Sequence, residues 1–401
     1  MGERRPAASV ASELRLLMVV GPATGGIGAH AASLATGLSS RGWHVTVVTA
    51  RQTAQRFDLG EHVEVAWPGR APASGVRAVL RMRTLAREVD VVHAQGHQAG
   101  LLALAATALL GRGRPPVVVS WHNAVLGAGL GRRARGLFER LQVARADLVT
   151  GASQDLVTRE HDLGARHAEL AVVAAPGDRS WTGSGTLARA QLADELGVDV
   201  RGTWLLTVSR IAPQKNLEVL VAAARRLAAR TARGVAVAEQ PADASARADR
   251  LTWIVVGDGQ AELLTWLRAR VASDRTNVLF VGARTDVPRW MAAADVFVLP
   301  SAWEARALVV QEALAAGLPV VASAVGGLSE LIGSAGVLVE PGDADALADA
   351  VAALVADPDR RAALALAGRA RAADLPDERD VIEEWDERYR RLRLGRRRPR
   401  T

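Results

Sequence analysis

Two carboxylates, Glu304 and Glu312, stand eight residues apart around the apolar run Ala307-Leu308-Val309-Val310. A second charged group lies upstream, where Arg210 and Lys215 bracket Ile211-Ala-Pro-Gln214. Of the 50 basic side chains, Lys215 is the only lysine, in a chain that otherwise uses arginine. A lysine kept against that bias suits a site that needs a compact point charge instead of a fork, although survival by chance is the other reading. Two cations beside a helix N-terminus can neutralise a diphosphate leaving group. Two carboxylates flanking that site can accept hydrogen bonds from hydroxyls. The layout suits a ligand with hydroxyls at both ends and phosphate between, as in a nucleotide-diphosphate sugar.

The elements that must position these residues can be read around them. Val296 to Leu299 is a short apolar run closed by Pro300, as a buried parallel strand would be. Ala305 to Ala316 holds good helix formers, Gly317 sits at a C-cap position and Pro319 blocks continuation. Val320 and Val321 begin another strand. This βαβ reading places Glu304 at the carboxyl end of a strand, where open α/β sheets bind ligands. It puts Glu312 about two helical turns, roughly 12 Å, further along the axis. Trp204 to Ser209 reads as a strand and Leu217 to Ala229 as a helix, so Arg210 and Lys215 fall in a loop at the same sheet end.

Pro300-Ser301, Glu304-x7-Glu312 and Ala313-x3-Gly317-x-Pro319-Val-Val-Ala-Ser323 resemble the signature of the family 4 retaining glycosyltransferases, also called group 1 glycosyltransferases. Arg210-x4-Lys215 resembles that family's diphosphate motif. The resemblance implies the GT-B fold, an α/β architecture of two Rossmann-like, doubly wound parallel-sheet domains facing across a cleft. It implies Glu304, His122, Arg210 and Lys215 as catalytic residues. It adds Gly26, Gly28, Gly257, Ala283, Arg284, Arg306, Ala307, Leu308 and Glu312 as nucleotide-sugar contacts. The Gly282-Ala283-Arg284 turn is where relatives cradle the base. One departure stands out: the family carries Gly-Phe-Gly after the first glutamate, and this chain has Ala305-Arg306-Ala307. Glycine there would permit close approach and φ > 0, which alanine disfavours. Arg306 is then expected near the diphosphate or the cleft mouth.

The first half carries fewer specific signals. Strand Leu14 to Val20 leads into Gly21-Pro-Ala-Thr-Gly25-Gly26-Ile-Gly28, and a helix follows to Ser40. A glycine-rich turn opening a helix lets backbone N–H groups approach an anion. Gly26-x-Gly28-x-x-Ala31 also matches a dinucleotide fingerprint. Four residues between strand and glycines, and Ala50-Arg51 where an acidic ribose ligand would stand, oppose a dehydrogenase. Further strands are read at Val63 to Trp67, Asp90 to His93, Pro116 to Ser120, Leu148 to Ser153 and Leu170 to Ala174. His93 and His97 raise metal binding, but no third ligand follows at a useful spacing, and cleft-lining polar residues are the other reading. His122 ends a strand in the manner of the family's cleft histidine, and a satisfied structural histidine is the alternative. Basic helices at Val76 to Val89 and Gly129 to Ala144 carry interleaved arginines. They read as solvated faces or as surfaces for an anionic bilayer.

The chain has 401 residues and 49% hydrophobic content, which sets two domains with sizeable cores. We read 1–13 as a disordered tail and 14–178 as an acceptor domain. A linker at 179–202 leads to a nucleotide-sugar domain at 203–376, a helix at 377–395 that crosses back to domain one, and a basic tail at 396–401. Ala232 to Asp249 reads as a flexible insertion. The chain has no cysteine, which fits a reducing cytoplasm. No signal peptide is apparent, and the longest apolar run, Ala99 to Leu110, is too short to span a bilayer. The net charge of +7 serves solubility or attraction to anionic lipid or nucleotide. Asp343-Ala-Asp345 spells an acid-x-acid pattern but begins a helix, where capping explains it.

The expectation is a cytoplasmic enzyme, with peripheral attachment at the inner membrane face and a cell-envelope role as further options. It would move a hexose-type sugar, with retention, from a nucleotide-diphosphate donor to an unidentified acceptor, lipid-linked acceptors included. Neither cofactor nor metal is expected, and no nucleic-acid partner. A non-catalytic nucleotide-sugar-binding or scaffold protein on the same fold is the alternative. An epimerase or phosphorylase is a third reading.

Overall fold

The computed structural model describes residues 14–108, 110–123, 130–171, 173–175, 181–235 and 251–397. The expected tail at 1–13, most of the Ala232–Asp249 insertion and 398–401 lie outside them. The chain divides into two compact units: residues 1–152, 156–172 and 378–401 form one, and 153–155 with 173–377 form the other.

The first unit is built on a seven-stranded parallel sheet. Its strands are β1 (Leu14–Val20), β2 (Trp43–Thr49), β3 (His62–Val65), β4 (Val91–Gln95), β5 (Val117–Trp121), β6 (Leu148–Gly151) and β7 (Ala168–Leu170). Their spatial order is β3-β2-β1-β4-β5-β6-β7. β4 and β5 are buried at every position, as a sheet covered on both faces requires. The helix Glu378–Arg397 belongs to this unit. A Cβ on Gly37 would meet Ile382 Cδ1 at 2.2 Å, so this glycine lets the helix sit close. Trp43 Nε1 donates to Asp386 at 2.8 Å, and buried Arg388 donates to Glu169 and to the Leu170 carbonyl.

The second unit has a six-stranded parallel sheet. It comprises β8 (Thr203–Val208), β9 (Leu251–Val256), β10 (Val278–Gly282), β11 (Val296–Leu299), β12 (Val320–Ser323) and β13 (Gly336–Val339). The spatial order is β10-β9-β8-β11-β12-β13. Alternate residues feed two cores: Leu206, Ile254 and Phe297 face one, and Leu205, Trp253 and Val298 face the other. Both units are thus doubly wound, and strand order reverses between β1 and β4 and between β8 and β11. Such switch points open a crevice beyond the strand ends.

Several expectations need correction. Residues 179–202 are not a simple linker: they contain the helix Gly185–Leu196, whose Ala188 and Leu192 are fully buried in the second unit's core. The strand expected at Leu170 to Ala174 runs instead from Ala168 to Leu170. The central helix begins at Leu308, not Ala305. The Gly326–Gly327 loop after β12 packs on this stretch: Gly327 N donates to Glu304 O at 2.9 Å, and a Cβ on Gly327 would clash with Ala305 O. The two-turn distance between Glu304 and Glu312 therefore does not apply. Asp343 caps its helix, accepting from the backbone of Asp345 and Ala346. Among the described residues no cluster of three or more metal-ligating side chains occurs. None of the helices there is long and apolar enough to cross a membrane.

Candidate functional site

In the second unit the site follows from the switch point. β8 and β11 are neighbours, so the loops leaving their carboxyl ends lie side by side. The β8 loop folds into a single turn, Pro213–Lys215, ended by Asn216 in the left-handed region at φ 53°. Two hydrogen bonds tie the loops together: Ala302 N donates to Gln214 O at 2.8 Å, and the Gln214 side-chain Nε2 donates to Trp303 O at 2.7 Å. This brings Lys215 Nζ onto Glu304 Oε1, in an ion pair whose side chains are 14% and 8% exposed. Ser301 Oγ donates to the same carboxylate oxygen at 2.7 Å. A serine and an ammonium thus orient Glu304 in a site largely shielded from water, where charge interactions are stronger than at the surface.

Glycine permits the close approach of the surrounding loops. Gly257, at φ +143°, lies so near the β8 loop that a Cβ would meet Ser209 O at 1.9 Å. Gly326, at φ +48°, would meet Glu304 O at 2.0 Å. Arg210 leaves β8 beside these groups with an exposed side chain. Glu312 is half-buried in the helix Leu308–Ala315, whose first turn begins at Leu308 after Ala307. Gly257 N donates to Gly282 O, which links the Gly257 loop to the turn carrying Ala283 and Arg284. The Arg284 guanidinium pairs with Glu195 at 3.2 Å and lies over Trp290. Ala283 is exposed.

The departure at 305–307 is accommodated. Ala305 and Ala307 are 4% and 6% exposed, and among the described residues only Asn216 and Arg275 are non-glycine residues with positive φ. Alanine is therefore unstrained here, contrary to the expectation that a left-handed conformation could be needed. Arg306 has Glu330 and Arg371 as its charged neighbours, and burial lowers its guanidinium to about 10. Its Nε and Nη2 are buried without hydrogen-bond partners.

In the first unit, Gly26 opens the helix Gly26–Ser40 with no side-chain cap at its N-terminus and no acid in its first turn. Gly28 is required by packing, because a Cβ would meet the Phe57 ring at 2.3 Å. β4, beyond the switch point, carries His93 at its centre and Gln95 at its carboxyl end, and His122 directly follows β5. His122 Nε2 lies 2.5 Å from Gln95 Oε1, and its ring meets that of His30 edge-on at 5.7 Å between centroids. Burial pushes His30 down to about 4. Burial, aided by His30 and His97, takes His122 to about 3. Both are neutral at physiological pH. His97 Nε2 donates to the Asn123 carbonyl at 3.1 Å. His93 is thus engaged at both ring nitrogens and His97 at Nε2, while the buried His97 Nδ1 has no hydrogen-bond partner. The residues that sequence reasoning missed are Gln95 and His30. Gln95 stands one residue before the Gly96 turn, at the carboxyl end of the strand that carries His93, and that position was the available signal.

Residues 202–357 match the family described as Glycosyl transferases group 1, and residues 25–176 match the Glycosyl transferase 4-like domain. A segment of 115 residues is 44% identical to the Lipopolysaccharide core biosynthesis mannosyltransferase LpsB of Rhizobium meliloti, covering 27% of this chain and 32% of that one. Over 281 residues the chain is 32% identical to the D-inositol 3-phosphate glycosyltransferase of Salinispora tropica, covering 66% and 55% of the two chains. The chain thus spans between about a third and just over half of the length of these relatives. The crystal structure of Anabaena Alr3699/HepE in complex with UDP-glucose superposes with a TM-score of 0.77 at 22% identity, covering 94% of this chain and 100% of that one. With both halves of the chain matched and the fold shared, this protein belongs to the group 1 glycosyltransferases of the GT-B fold.

Proposed function

We propose that the chain is a retaining glycosyltransferase that moves a hexose-type sugar from a nucleotide-diphosphate donor to an acceptor hydroxyl. The observation that carries this reading is the Lys215–Glu304 pair at the β8/β11 switch point, with Ser301 on the same carboxylate. Lys215 and Arg210 would neutralise the departing diphosphate, and Glu304 would hold the sugar hydroxyls. Glu312 would take the ribose, and His122 would meet the transferred sugar or the acceptor. Protein cations supplying the positive charge make a divalent metal unnecessary in this reading. The similarity to LpsB, whose name places it in lipopolysaccharide core biosynthesis, supports a lipid-linked acceptor. So does the exposure of Leu137, Phe138 and Leu141 beside Arg140 on the helix Leu130–Arg145, a pattern suited to an anionic bilayer.

The test begins with calorimetry of nucleoside diphosphates and their sugars, then turnover. Lys215→Ala should weaken nucleoside diphosphate binding by about 1.5–3 kcal/mol, the range for charged hydrogen bonds. Glu304→Gln should keep nucleotide binding and lose transfer. A folded wild-type chain that binds no nucleotide sugar would refute the reading.

A further inference from the structure

We propose that Gln95 is a positioning residue that fixes the tautomer of His122, so that this histidine meets a substrate hydroxyl as an acceptor. The tautomer assignment stands on geometry alone, and the substrate half rests on the glycosyltransferase reading above.

Gln95 ends β4 at 3% exposure, and its Oε1 lies 2.5 Å from His122 Nε2. A carbonyl oxygen carries no proton, so the imidazole must donate from Nε2. In the neutral ring Nδ1 then bears a lone pair. Such a nitrogen accepts from a sugar or alcohol O–H and repels a phosphate oxygen. The imidazole must be neutral for this, and its burial beside His30 keeps it so.

The orientation of the Gln95 amide is set from behind. Its Nε2 lies 3.4 Å from each ring nitrogen of fully buried His93, which places it over the ring face, where an N–H is favoured and a carbonyl oxygen is repelled. His93 is clamped in turn: Nδ1 lies 2.5 Å from Tyr389 Oη, and Nε2 lies 2.7 Å from Ser120 Oγ. Ser120 Oγ is 2.6 Å from Thr150 Oγ1. Trp385 covers the His93 ring at 4.3 Å between centroids. A buried polar chain therefore runs from the helix Glu378–Arg397 through His93 and Gln95 to His122. Such chains hold one arrangement because each unpaired member would be costly to bury.

The experiment is a long-range proton–nitrogen spectrum of the full chain labelled at histidine, taken near neutral pH. His122 is assigned by its loss in His122→Gln. The wild type should show His122 protonated at Nε2 and bare at Nδ1. Gln95→Leu should shift His122 to a tautomer mixture and lower kcat at least about tenfold, with donor KM unchanged. Gln95→Glu, which keeps an acceptor oxygen, should retain the Nε2–H form. If Gln95→Leu does not fold, the wild-type spectrum alone decides. Absent nucleotide-sugar binding on the same sample would refute the functional reading and leave the tautomer assignment standing. A wild-type His122 protonated at Nδ1, or a tautomer unchanged in Gln95→Leu, would overturn the proposal.

Discussion

Replacing Glu160 by glutamine should remove a loss of stability that the wild-type chain suffers as pH rises. Glu160 sits in the helix Gln154–Asp162 at 0% exposure, and neither carboxyl oxygen has a hydrogen-bond partner. Burial pushes its carboxyl from 4.5 up to about 8. The folded chain keeps this proton until pH nears 8, whereas the unfolded chain releases it above about 4.5. The protonated form's stability is therefore complete below the unfolded value and is lost as pH climbs through the folded one. Each unit of pH inside that window costs about 1.4 kcal/mol, so moving from pH 5 to pH 7 should cost about 2.5 kcal/mol. Buried His30 and His122 slope the other way, since their lowered values favour the fold above 6.5 and penalise it as pH falls toward 4. The readout must therefore be a difference of differences. Urea midpoints are measured for wild type and Glu160→Gln at both pH values, and the change in the gap between them isolates Glu160. A gap that stays constant from pH 5 to pH 7 would mean that the carboxyl finds water or a partner, and the reasoning would fail.

Three further outcomes are expected. Arg306→Met should leave nucleoside diphosphate affinity unchanged and stability neutral or raised by about 1 kcal/mol, because it removes two buried unpaired donors. Weakened binding by calorimetry would instead return Arg306 to the diphosphate. Transfer should persist in excess chelator, and activity abolished by chelator and restored by manganese would refute metal independence. The chain should sediment with anionic vesicles in a salt-sensitive manner, since each basic residue near such a surface contributes roughly 1 kcal/mol. Vesicle binding that is absent, or indifferent to salt, would remove the membrane reading.

The second-unit site was legible because its parts sit next to strong punctuation. Pro300 closes β11 and Gly317 with Pro319 ends the helix that follows, so Glu304 had to fall in the loop between. Lys215 was marked by its rarity and by the strand before it. That the two side chains pair directly was not legible, since the contact depends on β8 and β11 being neighbours. Gln95 escaped for the same reason. Its partner His122 lies 27 residues away and meets it only through the β4–β5 pairing. Arg306 was visible as a departure, but its direction depends on Glu330 and Arg371, which belong to later elements. The helix start was misplaced because Ala305 and Ala307 are good helix formers, and tertiary contact with the Gly326–Gly327 loop overrides that preference. The helix Gly185–Leu196 was missed despite Ser184 before it and Gly197 after it, in the left-handed region at φ +65°.

Because the helix Glu378–Arg397 packs on the helix Gly26–Ser40 and on β4, the ribosome must reach the last helix before this part of the first unit is covered. At ordinary synthesis rates the interval between Gly37 and its neighbour Ile382 is on the order of tens of seconds. During that time Trp43 and His93 await Asp386 and Tyr389. A nascent first unit in this state exposes the surfaces that Ile382, Trp385 and Tyr389 cover at Gly37, His93 and Trp43, which a holdase chaperone could bind. Gene fragments that stop before Glu378 should yield insoluble product, while supplying the missing helix as a separate peptide should rescue it.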